Sequence, residues 1–96
     1  MDIWTVLRRE SGEPEVSNYG SFSSYELARK FCMQYVEVNW DEDYLKRNDL
    51  TLKVEWYGND ELCIERQKNG RRTYYGTTTF LIQSSTVITS EDDFRF

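Results

Sequence analysis

The stretch from Tyr19 to Val38 constrains the fold most, because it reads as one amphipathic helix with its entry signals attached. Ser23-Ser24-Tyr25-Glu26 has the spacing of a capping box. In such a box the Ser23 hydroxyl accepts from the N–H of Glu26, and the Glu26 carboxylate accepts from the N–H of Ser23. Phe22 and Leu27 occupy the two positions of a hydrophobic staple, and Gly20 lets the incoming chain bend. Leu27, Ala28, Phe31, Cys32, Tyr35 and Val36 recur at helical spacing along one stripe, with Arg29, Lys30 and Gln34 on the other side. The stripe needs a partner surface, and the helix is expected to end near Val38 or Asn39.

The downstream sequence supplies that surface as a sheet. From Leu50 the apolar period changes to two: Leu50, Leu52, Val54 and Trp56 alternate with Thr51, Lys53, Glu55 and Tyr57. A three-residue loop at Gly58-Asn59-Asp60 pairs Tyr57 with Glu61, Trp56 with Leu62, Val54 with Ile64 and Lys53 with Glu65, which keeps the apolar set on one face. Asn69-Gly70 signals a second hairpin with a two-residue turn, which would set Gln67 opposite Arg72, Glu65 opposite Tyr74 and Gly76 opposite Cys63. Gly76 suggests a bulge or bend. Strand character resumes over 77–83, is interrupted at Ser84 and Ser85, and returns over 86–89.

Upstream, Ile3 to Arg9 reads as a strand apolar on both faces, and therefore central. Glu10 to Asn18 holds the only proline, Pro14, with Ser11, Gly12 and Ser17, and reads as a polar connection. Trp40 to Asp49 is either a short helical turn capped by Asp41 or a solvated loop. The tail from Ser90 is expected to be loose unless Phe94 or Phe96 docks. The expected fold is α+β: an antiparallel sheet in β-α-β-β-β order with one amphipathic helix packed on one face, a two-layer sandwich.

Ninety-six residues make a single domain, 1–96, with one core. At 39% hydrophobic and 30% charged, the chain belongs with globular and not disordered sequences. The start, Met1-Asp2-Ile3-Trp4, lacks the features of a secretion signal, and no apolar run has the length of a membrane span. A cytoplasmic protein with reduced thiols is expected. There is no histidine, no close Cys/His cluster, no glycine-rich phosphate loop and no nucleophile elbow. No catalytic residue, metal or cofactor is therefore assigned, and the chain is read as a non-enzyme.

Gly20-Ser21-Phe22-Ser23-Ser24, followed by Ala28 and Phe31, resembles the strand, loop and helix entry of many small bacterial and phage domains. Capping physics alone favours that pattern, and no family is assigned on it.

Two surfaces draw a functional reading. Arg66, Lys68, Arg71 and Arg72 make the second hairpin positive by four charges, so the rest of the chain is net −9 against −5 overall. Tyr57 and Tyr74 should project beside this cluster from the sheet face opposite the helix. Asp41, Glu42 and Asp43 form an acidic counterpart, with further acids at 60–61 and 91–93. Aromatics at 16% and this charge segregation suggest that the chain is a protein-interaction module or inhibitor, of the kind a viral or phage accessory protein acting on host machinery would be, with these residues as its partner-binding surface. The alternative is a single-stranded nucleic-acid binder, most naturally of RNA, whose bases stack on the tyrosines. An enzyme with an unrecognised site ranks third, and one open sheet face also allows a homodimer. The plainer reading of the same residues is a hairpin tip and loops kept soluble by charge.

Overall fold

The computed structural model describes residues 1–69 and 74–94 and, at Tyr74 and Tyr75, the backbone alone. Five antiparallel strands and two α-helices form an α+β fold. β1 (Asp2–Glu10) and β2 (Val16–Phe22) precede α1 (Tyr25–Asn39) and α2 (Glu42–Asn48), and β3 (Leu50–Tyr57), β4 (Glu61–Lys68) and β5 (Tyr74–Thr86) follow. The sheet order is β2-β1-β5-β4-β3, so β1 is internal, as its two apolar faces predict.

The principal correction is β2. Val16–Phe22 is a strand paired with β1, where connection and helix were expected. Tyr19 and Phe22 lie at helical spacing from the true helix but reach it from the neighbouring strand. Their rings stand 5.6 and 5.4 Å from Phe31. The helix begins one residue later than the capping box predicts: Ser24 is the N-cap, and its Oγ accepts from the N–H of Leu27 at 3.2 Å. Leu27 is consequently half exposed and makes no staple. Ser24→Ala should therefore cost about 1 kcal/mol of stability and Ser23→Ala only a few tenths. Thermal or urea unfolding of the two variants distinguishes the caps.

The remainder of the stripe faces the sheet as expected, with Ala28, Cys32 and Val36 buried and Phe31 and Tyr35 half-buried. Ala28, Cys32 and Val36 pack onto Val6, Leu62, Ile64, Phe80 and Ile82 of the sheet. α2 forms because the Asp41 carboxylate caps the N–H of Tyr44 at 2.8 Å, with Glu42 and Asp43 in the positively polarised first turn. It ends at Asp49, which adopts the left-handed conformation.

The β3–β4 hairpin has the predicted pairing throughout, from Tyr57 opposite Glu61 to Lys53 opposite Glu65, around Gly58 at φ +66°. The β4–β5 register does not follow the Asn69-Gly70 signal. Gly76 lies opposite Arg66, not Cys63, and Gln67 opposite Tyr74, with a bulge between Arg66 and Gln67. In this register the absence of a side chain at Gly76 leaves room for the Arg66 guanidinium, since a Cβ there would fall 2.7 Å from Arg66 Nη2. β5 also runs unbroken through Ser84 and Ser85 to Thr86, because Thr86 and Ser85 pair with Asp2 and Ile3 of β1. Beyond it, 87–89 are not strand, and a short 3₁₀ turn (Glu91–Asp93) precedes a half-exposed Phe94. The Asn69-Gly70 turn, Arg71, Arg72, Phe96 and the side chain of Tyr74 fall wholly or partly outside the described residues.

Candidate partner-binding surface

Side chains alternate across the sheet, so the register assigns each residue a face. Helix α1 takes the face carrying Val6, Leu62, Ile64, Phe80 and Ile82. The opposite face is uncovered among the described residues. Its middle holds Leu7 paired with Leu81 and Cys63 paired with Thr79, all half-buried or buried by their neighbours in the sheet.

On β3 this outer face carries Tyr57, 54% exposed as expected. Its hydroxyl donates to Glu55 Oε2 at 2.9 Å, and Lys53 Nζ stands 3.3 Å from Glu55 Oε1. The hydrogen bond from Tyr57 and the pairing with Lys53 hold the Glu55 carboxyl below its ordinary pKa. The Glu55 carboxylate in turn raises the Tyr57 hydroxyl and the Lys53 ammonium. Glu61 and Glu65 project from β4 to the same side. This part of the face is thus an aromatic ring set among carboxylates with one lysine, a surface that disfavours phosphate.

Of the expected basic cluster, Arg66 and Lys68 do not lie on this face, and Arg71 and Arg72 fall outside the described residues. Arg66 is 8% exposed and lies on the inner side of the sheet, against Trp40 at the end of α1. Its Nη1 donates to Thr78 Oγ1 at 2.7 Å, its Nη2 meets Glu10 Oε2 at 3.2 Å, and its guanidinium lies 4.9 Å from the Trp40 ring centroid. Thr78 also donates to the second Glu10 oxygen, so one carboxylate serves both. Lys68 reaches the inner side too, donating to the Asn48 carbonyl at 2.6 Å, at the negative end of α2. Parity carried this information: Leu62 and Ile64 face inward, so Arg66 and Lys68, two and four residues on from Ile64, do the same.

Asp41, Glu42 and Asp43 are exposed, with Asp41 engaged as the α2 cap. Among the described residues no group of three His, Cys, Asp or Glu side chains is placed to hold a metal ion. None of the described helices is long and apolar enough to cross a membrane. An open groove of about 450 Å³ lies between the start of α1 and the β3–β4 turn, bounded by Trp4, Tyr25, Asp60 and Gln83. The Tyr25 hydroxyl donates to the Asn59 carbonyl across its floor.

The two thiols differ. Burial pushes Cys32 up to about 11, against an ordinary 9.0. Cys63 is raised more modestly, first by burial and then by Glu65, Glu61 and Glu55. A folded pKa above the unfolded one favours the neutral thiol in the fold. Its contribution is complete below pH 9 and is lost as pH rises through about 11. Urea midpoints should therefore fall over that interval, and Cys32→Ala should remove part of the fall. Native protein should expose one titratable thiol, Cys63, and unfolded protein two.

No protein family, no curated protein and no solved structure matches this chain.

Proposed function

We propose that this domain is a non-catalytic cytoplasmic module that binds a partner protein through the open face of its sheet. The observation carrying the proposal is the one-sided architecture. Helix α1 packs on the inner face, leaving Leu7, Leu81 and Cys63 flanked by exposed Tyr57 and the Lys53–Glu55 pair on the other. An apolar centre with an aromatic and a charged rim is the composition of a protein interface. The excess of Glu55, Glu61 and Glu65 over Lys53 suits a partner whose contacting surface is basic. The nucleic-acid alternative loses two of its supports, since Arg66 and Lys68 are engaged on the inner side.

The test is affinity capture from the native host with wild type, Tyr57→Ala and wild type alkylated at Cys63 by a bulky maleimide. Tyr57 is exposed, so its replacement should leave the melting temperature within about 1 °C. A protein retained by wild type and lost from both altered forms supports the proposal. Equal retention by all three, with circular dichroism unchanged, refutes it.

A further inference from the structure

The sheet has two edges, and they are not equivalent. β2 is interrupted: its register with β1 shifts between Thr5 and Leu7, and it contains Gly20. β3 is regular, with all its residues from Leu50 to Tyr57 in unbroken register with β4. An unbulged outer strand offers a row of unpaired N–H and C=O groups to another strand. β3 also exposes apolar surface on the side that α1 covers elsewhere. Val54 is 37% exposed there, between half-buried Leu52 and Trp56, and Arg29 lies over the Trp56 ring at 4.1 Å.

We infer that the β3 edge pairs with the β3 edge of a second copy of this chain, antiparallel about a two-fold axis at Val54. A two-fold axis normal to the sheet keeps the inner and outer faces continuous across the junction and sets one residue opposite itself. Centred on Val54, the pairing places Lys53 opposite Glu55 of the second copy on the outer face, twice by symmetry. On the inner face it places Leu52 opposite Trp56 of the second copy and the two Val54 side chains together. Centring on Lys53 or on Glu55 would set like charges against each other. The charge pattern of this strand therefore selects one register. A single-sign edge would prevent pairing altogether, and charged edges commonly serve that end. Here lysine and glutamate, each one residue from Val54, are self-complementary. The product is one continuous sheet of twice the width, with both copies of α1 on one side and the outer face continuous on the other. It stands whether or not the outer face binds a partner protein.

Sedimentation equilibrium over micromolar to millimolar concentrations tests the pairing. Wild type should dimerise. K53E and E55K each replace two attractive contacts by two repulsive ones and should raise the dimer dissociation constant tenfold or more. The double exchange K53E/E55K restores opposite charges and should bring it back to within about threefold. All four side-chain patterns are solvent-exposed, so circular dichroism should show folded protein throughout. V54C in a C63S background should form an intermolecular disulfide on mild oxidation, because pairing brings the two positions within disulfide reach. I88C in the same background should not. A wild type that is monomeric at all concentrations overturns the inference. So does a dimer that K53E leaves intact or that the double exchange fails to restore.

Discussion

Arg66→Ala should destabilise the fold by about 3 kcal/mol, because it removes one partner of a pair withdrawn from water and leaves Glu10 behind. Three contacts go together: the Glu10 carboxylate at 3.2 Å, the Thr78 hydroxyl at 2.7 Å and the face of Trp40 at 4.9 Å. The Glu10 side chain retains 21% exposure, so water recovers part of the loss and the low end of the buried-pair range applies. The cost should be strongly non-additive. Glu10→Gln in the Arg66→Ala background should recover stability, since the orphaned charge is then gone. Gly76 supplies an independent check. Gly76→Ala drives a Cβ to 2.7 Å from Arg66 Nη2, whose position Glu10 and Thr78 hold, and should cost 1 to 3 kcal/mol, on the order of an overpacked site. In Arg66→Ala protein the same change meets empty space, so the penalty should vanish. Urea unfolding of the four proteins gives the coupling energy; a value near zero would mean that Arg66 is not what excludes a side chain at position 76.

That network also marks the boundary of what could be read from the chain. The β3–β4 pairing was legible because Leu52, Val54 and Trp56 match Leu62 and Ile64 in only one loop length, and the structure has that pairing. Helix α1 was legible in its apolar stripe and its end. Its beginning was not, for two reasons. Three serines lie at 21, 23 and 24, so cap spacing alone admits more than one start. Tyr19 and Phe22 also fall on the helical period while belonging to β2. The β4–β5 register was not legible: Asn69-Gly70 is a strong local signal for a two-residue turn, but the strands pair with Gly76 opposite Arg66 and a register shift between Arg66 and Gln67, which nothing local in the sequence marks. For the surface, Tyr57 was placed correctly by alternation, whereas Arg66 and Lys68 were read as outward only because charge usually points to water. Strand parity, applied without exception, would have turned both inward and exposed the buried pairing with Glu10, although nothing local in the sequence names Glu10 as the partner.

Phe80→Ala should cost 3 to 5 kcal/mol, on the order of other buried aromatic truncations, and in a domain this small that is enough to leave much of the protein unfolded at 37 °C. Phe80 is fully buried at the centre of β5, and its ring is 5.0 Å from Tyr35 edge-on and 6.2 Å from Tyr19. Those two tyrosines in turn carry Arg8, whose Nη1 donates to Tyr35 Oη at 2.6 Å and whose guanidinium stands 5.4 Å from the Tyr19 ring. Removing the central ring therefore undermines a cluster joining β1, β2, β5 and α1. The milder Phe80→Leu should cost about 1 to 1.5 kcal/mol while changing the near-ultraviolet circular dichroism of the tyrosines around it. Because Phe80 lies on the inner face and Tyr57 on the outer, the two substitutions should separate stability from binding. Phe80→Leu should lower the melting temperature and still capture whatever protein wild type captures below it. Tyr57→Ala should do the reverse. Capture lost from folded Phe80→Leu protein would place the interface among the helices and away from the open sheet.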